Sequence, residues 1–562
     1  MFGVFLVLAW MGMGYRLLQV QVVEAAELRE QGLEQRLVER PLAPERGRIY
    51  DRNGDLLAMA VESVTIYAVP KLVAEPLFVA QQVGGLVGVD PGVLVERLES
   101  DRDFVYLKRQ VDLDLAEQVR QMEMIGVFFE PETTRSYPAG PVAAHVVGFV
   151  DIDGNGLEGL ESQYDEALRG TPGRQLFERS RSGTPIPQGR LEEIPAVPGG
   201  DLVTTIDIPL QYATQNACAA ALERTGAKGC WAVVLAVETG DVLAMAGAPA
   251  FDPVTRATVD GGAFSNAVVR EPYEPGSIQK LITLAAALEE GVVDVGTVFG
   301  AVADQIELRP GACKSSTDEV YGCYADFDEH ETVDMTVRDI FTASSNVGII
   351  RIAQRLGDGV LVDYIEKFGL QSPTGIDYTA ETGGILNMPA GCTICPLSAS
   401  IGYSLAASPL QMAAAYAAIG NDGTWIQPSL VSSIVDVHGS ETSPEQSSYR
   451  VVSSETAQVM RELLAGVVES GTGGNASVDG YRVGGKTGTA NKLGEDGKYV
   501  DITRASFVGL APIDDPKLVV AVMVDEPSWE FRTGGRAAAP VFSEIMEQAL
   551  HRLGVTPDGI ES

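Results

Sequence analysis

Apolar residues run almost unbroken from Met1 to Tyr15 and, after Arg16, continue as LLQVQVV to Val23. About 20 such residues span a bilayer as a helix, so residues 1–23 read as one transmembrane anchor. A cleaved signal peptide competes with this, but no basic stretch opens the run and no small-residue cleavage site follows it. From residue 24 to about 200, charged stretches of helical period such as EAAELREQGLEQRLVER alternate with short strands and Gly/Pro punctuation. Within this part, ERGRIYDRNGDLLA (45–58) predicts strand, Asn53-Gly54 turn, strand. Arg46, Gly47 and Asp51 there read as a structural salt bridge in a hairpin before they read as a binding loop. From residue 201 the pattern changes again. WAVVLAVETGDVLAMAG is two apolar strands about Thr239-Gly240, ASFVGLAP and KLVVAVMV are strands near the C-terminus, and the middle is helical. Strands at both ends with helices between them predict an antiparallel sheet of chain-distant pieces packed on a helical cluster.

One helix departs from amphipathic patterning. Pro275-Gly276 break the chain, and residues from about Ser277 to Glu290 are apolar on every side up to Gly291, the signature of a buried helix with a glycine C-cap. Ser277 falls in its first turn, with Lys280 on the same face one turn on. A buried amine of lowered pKa can take the proton of such a hydroxyl, and a helix N-terminus favours the developing anion. Taken alone, Ser-x-x-Lys is common, with a capping serine and a lysine reaching for solvent as its ordinary meaning.

Two further stretches change the picture. In TVRDIFTASSNVGIIRIAQRL (336–356), two short helices meet at Ala343-Ser344-Ser345-Asn346, placing small polar side chains on a tight turn. A plain helix cap is the alternative. In YRVGGKTGTA (481–490), a strand carries Lys486, Thr487, Gly488 and Thr489, which offer a cation, two hydroxyls and a backbone N–H to an anion; the alternative is an edge strand with one charge. The order SxxK, SxN, KTG is the signature of penicillin-binding proteins and serine β-lactamases.

On these residues the chain resembles a class B penicillin-binding protein, a monofunctional peptidoglycan D,D-transpeptidase. The likeness extends through ERGRIYDRNGDLLA, GLEGLESQYDEALRGTPG (156–173), DLVTTIDIPLQ (201–211), AVETGDVLAMAGAPAFDP (236–253), IGYSLAASPLQMAAAYAAIGNDG (401–423) and GGRAAAPVFSEIM (534–546). It implies a multi-domain α/β chain: an anchor (1–23), an elongated α+β pedestal of the dimerisation-domain type (24–200), a transpeptidase domain of the serine β-lactamase/transpeptidase fold (201–551) and a tail (552–562). It also implies a single-pass protein of the cytoplasmic membrane with its catalytic domain outside. The basic tail usual before such an anchor is missing here, which points to a start further upstream, so orientation rests on the resemblance.

The resemblance assigns roles as follows. Ser277 attacks the penultimate D-alanine carbonyl of a stem peptide, Lys280 takes its proton, and D-alanine leaves an acyl-enzyme behind. Ser344 relays the proton, while Asn346 holds the donor amide and keeps Lys280 in place. Lys486 favours the neutral form of Lys280 and, with Thr487 and Thr489 beside Gly488, receives the terminal carboxylate. The backbone N–H groups of Ser277 and Thr489 form the oxyanion hole, and a neighbouring stem-peptide amine completes the cross-link, with weak D,D-carboxypeptidase activity as a side reaction. β-Lactams mimic the D-Ala-D-Ala end and trap Ser277. No glycosyltransferase domain is present, so a polytopic lipid II polymerase and other membrane proteins of the division complex are the implied partners.

GNGLEGLESQYD and DEPSWEFRTGGRAAAPVFSEIM lean toward the division-specific type, an elongation enzyme being the alternative. A β-lactamase or β-lactam sensor, and a non-catalytic scaffold, are the remaining readings; the pedestal opposes the former and the intact motifs the latter. Ile278-Gln279, between nucleophile and base, departs from the family pattern in a way that bears on antibiotic affinity.

Composition narrows this only a little. The chain has 562 residues, 45% hydrophobic, enough for more than one globular core. A net charge of −36 argues against nucleic acid or anionic lipid as the main partner. Six cysteines fall as near pairs, Cys218 with Cys230, Cys313 with Cys323 and Cys392 with Cys395. Outside the cytoplasm such spacing favours disulfides, with a redox or zinc role for Cys392-Thr393-Ile394-Cys395 as the weaker alternative. No metal or cofactor is expected. Of the four histidines, none sits beside a serine motif, so a Ser-His-Asp triad is disfavoured; His330, in ADFDEHETVDM, reads as a solvated loop residue.

Overall fold

The computed structural model describes residues 2–25, 28, 36–178, 186, 191–256, 264–314, 322–494 and 498–558. Phe2–Leu18 is α-helical and runs into a π-helical turn at Gln19–Val23. Among the described residues, Phe2–Val23 is the one helix long and apolar enough to cross a membrane, and none of it is buried by protein.

The chain divides into two compact units. The smaller comprises Met1–Gly47, Ala60–Thr134 and Glu166–Gly200, and the larger Arg48–Met59, Arg135–Asp165 and Asp201–Ser562. The 24–200 span therefore contributes to both. Pairing of Ile49 and Tyr50 with Leu202 and Val203 ties the 45–58 hairpin to the larger unit. Its turn is built on Asp51, which is fully buried. The Asp51 carboxylate accepts from the backbone N–H groups of Asn53 (2.7 Å), Asp55 (2.9 Å) and Ile208 (3.3 Å). The turn of the hairpin thus rests on an aspartate that caps backbone donors.

In the smaller unit, Leu37–Leu42, Gly173–Glu178 and Leu191–Ile194 form a three-stranded antiparallel sheet. The helix expected over 24–40 is not continued here: residues 26, 27 and 29–35 lie outside the described residues, and 37–42 is a strand. Six register pairs with 173–178 outweigh the local helical preference. A second core lies between strand Val105–Val111 and the helices Pro76–Val87, Pro91–Leu98 and Leu113–Arg120. Asp90 and Asp112 cap the last two helices through their carboxylates.

The larger unit is organised on five antiparallel strands, β1 (Gly229–Ala236), β2 (Val242–Ala248), β3 (Gly484–Leu493), β4 (Tyr499–Ala511) and β5 (Leu518–Asp525), in the order β2-β1-β5-β4-β3. The N-terminal and C-terminal strand pairs meet between β1 and β5, which run in register over their full length. Ala232, Val234, Val520, Val522 and Val524 share a core with Ile208–Thr225 and Ala539–Arg552. Alternate residues such as Val233 and Ala521 are also buried and point to the opposite face, where Pro409–Gly420 packs on the same two strands. The C-terminal helix reaches Arg552, and Tyr481 Oη and Arg482 N donate to Val555 O (2.6 Å) and Asp558 Oδ1 (2.8 Å). The segment expected as a tail is thus packed as far as residue 558. Three disulfides join Cys218 to Cys230, Cys313 to Cys323 and Cys392 to Cys395.

Candidate active site

Three elements converge on one cleft lined by Ser277, Ser344, Asn346, Thr487 and Thr489 among others. Ser277 lies in a 3-10 turn, Gly276–Gln279, and the α-helix proper begins only at Lys280 and runs to Glu289. The first turn is tighter than the sequence suggested because it is pinned from outside. Gly276 N donates to Gly402 O (3.1 Å), and Tyr416 Oη to Ile278 O (2.9 Å). Gly276 has φ +57°, and a Cβ on it would lie 2.8 Å from Thr489 O, so only glycine lets the nucleophile turn approach β3. Residues Lys280 to Ala287 are all buried, the physical meaning of a helix apolar on every side.

The second element is the turn between Val337–Thr342 and Asn346–Leu356. A Thr336/Asp339 capping box opens the first helix, and the Ser345 hydroxyl caps the second by accepting from Gly348 N (2.8 Å). Between them Ser344 has φ +60°, a left-handed conformation uncommon for a residue with a Cβ. That backbone aims both of its oxygens at the lysines. Lys280 Nζ donates to Ser344 O (2.6 Å) and Oγ (3.3 Å), and Lys486 Nζ donates to Ser344 Oγ (2.7 Å). Lys280 is therefore held by Ser344, while Asn346 donates its side-chain amide to Ala325 O (2.6 Å).

The third element is β3, the edge strand of the sheet. Its partner β4 pairs Thr487 with Phe507 and Thr489 with Ala505. Thr487 Oγ1 bonds Thr472 Oγ1 (2.8 Å), and Thr489 Oγ1 accepts from Gly534 N (3.1 Å). An edge strand leaves one side free for an extended peptide.

Electrostatics follow from burial. Both lysines are fully buried. Desolvation, then the neighbouring Lys486 charge, hold Lys280 well below the ordinary lysine range, with Asp326 pulling weakly the other way. Burial brings Lys486 down to about 7. Two ammonium groups sharing Ser344 repel each other, so the arrangement favours a neutral Lys280, the form a general base needs.

The cleft also contains residues that the sequence did not single out. Asp326 accepts from Ser345 Oγ (2.7 Å) and Val347 N (3.0 Å), and His330 Nε2 lies 3.0 Å from the same carboxylate. His330 is thus part of the cleft wall and not a free solvated histidine. The Glu331 carbonyl and Asp326 raise its pKa. The His330–Asp326 contact is local, four residues apart, but the contacts of Asp326 with Ser345 and Val347 join segments 19 and 21 residues apart and leave no mark in the spacing of ADFDEH.

One buried group is out of keeping. Gln279 is fully buried, and neither amide atom has a hydrogen-bond partner. Such a group costs about 1–3 kcal/mol. We expect Gln279→Leu to raise the melting temperature while leaving penicillin acylation intact; a lowered melting temperature would contradict this.

Residues 230–547 match the family model "Penicillin binding protein transpeptidase domain", and residues 41–204 match "Penicillin-binding Protein dimerisation domain". The chain is a class B penicillin-binding protein. Relatives of this penicillin-binding protein include "Penicillin-binding protein PbpB" of Mycobacterium tuberculosis, 34% identical with 96% of this chain and 83% of that one covered. "Peptidoglycan D,D-transpeptidase FtsI" of Escherichia coli is 30% identical, with 97% and 90% covered. Among solved structures, penicillin-binding protein 3 of M. tuberculosis complexed with aztreonam aligns with a TM-score of 0.71 at 30% identity, covering 92% of this chain and 98% of that one. The enzyme is accordingly a peptidoglycan D,D-transpeptidase of the serine acyl-transfer type.

Proposed function

We propose that this enzyme cross-links peptidoglycan stem peptides through an acyl-enzyme on Ser277 and does so in septal wall synthesis. The observation that carries the chemistry is the pair of buried lysines joined through Ser344, an arrangement that lowers the pKa of Lys280 and favours its neutral form. Ser277 Oγ attacks the carbonyl carbon of the penultimate D-alanine, and its proton passes to Lys280. The oxyanion is received by the backbone N–H groups of Ser277 and Thr489, each such donor contributing about 3–4 kcal/mol. Ser344 passes the proton to the departing D-alanine amine, and Asn346 faces the donor's amide. Lys486, Thr487 and Thr489 receive the terminal carboxylate along β3. An amine of a second stem peptide then attacks the ester, Lys280 accepts its proton, and Ser277 regains its own. β-Lactams enter by the same route, and the trapped ester has no amine to release it.

The septal role rests on GNGLEGLESQYD and DEPSWEFRTGGRAAAPVFSEIM, the stretches that lean toward the division-specific type. An elongation role is the second reading, since the three motifs serve either. The apolar helix Phe2–Val23 is proposed as a single-pass anchor with the catalytic unit on the outer face, where a polytopic lipid II polymerase and division proteins are the partners.

Intact mass after brief exposure to benzylpenicillin tests the chemistry. A single long-lived adduct on the full chain that is missing in Ser277→Ala is expected. An adduct that disappears within minutes indicates a β-lactamase, and no adduct on the unmodified chain removes the acyl-enzyme reading. A fluorescent fusion and depletion in the native host test the role: midcell signal and filaments mean division, lateral signal and rounding mean elongation.

A further inference from the structure

Ser344 works from a left-handed turn, and a non-glycine residue in that conformation costs of order 1–3 kcal/mol unless its surroundings impose it. The turn's own helices supply only part of the constraint. The rest comes from a short hairpin, Gln305–Glu307 paired antiparallel with Cys323–Ala325, in which Glu307 faces Cys323. At that end Cys323 is bonded to Cys313, with Cα atoms 5.0 Å apart. At the other end the hairpin delivers its next residues to the SxN turn. Ala325 O accepts from the Asn346 amide at 2.6 Å. Asp326 Oδ2 accepts from Ser345 Oγ at 2.7 Å, and its Oδ1 accepts from Val347 N at 3.0 Å. Asp326 N in turn donates to Asp304 O (2.8 Å), closing the hairpin behind the carboxylate. Consecutive residues 345, 346 and 347 are therefore each gripped by residue 325 or 326, directly after the serine that holds both lysines.

We propose that Asp326 is a positioning residue for the acyl-transfer reaction, fixing the Ser344 turn through Ser345 and Val347, and that the Cys313–Cys323 disulfide anchors the hairpin that presents it. Asp326 lines the cleft and acts through the turn, not on the reacting atoms. Its carboxylate engages a hydroxyl and an N–H of the same turn at once, and an ionised acceptor makes the stronger hydrogen bonds. A displacement of about 1 Å at a reacting group can cost about 10²-fold in rate. The disulfide sits two residues from Ala325, so it limits how far that end of the hairpin can drift.

The inference rests on the proposed roles of Ser344 and Lys280, and its test separates the two. Acylation by a chromogenic cephalosporin is followed by stopped flow on the detergent-solubilised full chain, resolving non-covalent affinity from the first-order acylation step. Asp326→Ala is expected to slow the acylation step by about 10²-fold with affinity changed little. Asp326→Asn, whose amide oxygen can still accept one of the two hydrogen bonds, should recover part of the loss. Cys313→Ser combined with Cys323→Ser should slow the same step in the same direction, with melting above the assay temperature. An unchanged acylation step in Asp326→Ala, or a loss confined to affinity, overturns the positioning role. An unchanged step in the double serine variant overturns the anchor. If Asp326→Ala does not fold, Asp326→Asn decides the first question by its acylation step alone, an unaltered rate counting against the role. Ser344→Ala is the control: if it too acylates normally, the reading of the site itself fails.

Discussion

Lys280→Met is expected to lower the rate of penicillin acylation by about 10³-fold, within the usual range for loss of a general base. The lysine is fully buried and held at 2.6 Å by Ser344 O, so methionine fills much of its volume and the fold should survive. The pH dependence gives the sharper check. In the unmodified enzyme the neutral amine is the active form, so the acylation rate rises with pH through the pKa of Lys280. Burial and the Lys486 charge place that limb well below the ordinary lysine range. Lys486→Met removes the repelling charge. The ammonium form of Lys280 is then less disfavoured, its pKa rises, and the acid limb of the remaining activity moves to higher pH. A limb that stays fixed or moves down would mean that another group supplies the base.

Glu161→Ala is the second large effect, and it falls on stability. Arg135 Nε donates to Glu161 Oε1 at 2.6 Å, with side chains 4% and 0% exposed. Removing one member of a buried ion pair is strongly destabilising, at a cost of about 3–5 kcal/mol. Thermal and denaturant unfolding of the catalytic unit should both shift by that amount. Arg135→Met combined with Glu161→Met should recover part of it, because replacing both members of a buried pair by apolar side chains costs less than removing one. If the double variant is as unstable as the single one, the pair's geometry matters more than its charge. The residue belongs to GLEGLESQYD, so this stretch, noticed for its likeness to division enzymes, has at least one structural reason for its sequence.

The sequence by itself determined the three motifs, the apolar helix after Pro275-Gly276, the strands about Thr239-Gly240 and at the C-terminus, and the anchor-length apolar run. Each is written in local periodicity or in a short spacing, and local hydrophobic patterning is what a linear reading detects. The tight turn at Ser344 was likewise legible, because clusters of small polar residues mark such places. Only the tertiary structure decided the rest. That residues 48–59 belong with the larger unit follows from strand pairing across more than 150 residues, which leaves no local trace. The same holds for 37–42, helical by composition and a strand by partnership. It holds also for the hold on Lys280, which is Ser344 and not Asn346, and for the entry of Asp326 and His330 into the cleft wall. Chemistry at this site depends on hydrogen bonds between chain-distant segments, and the direction of a hydrogen bond is fixed by three-dimensional packing, not by order along the chain.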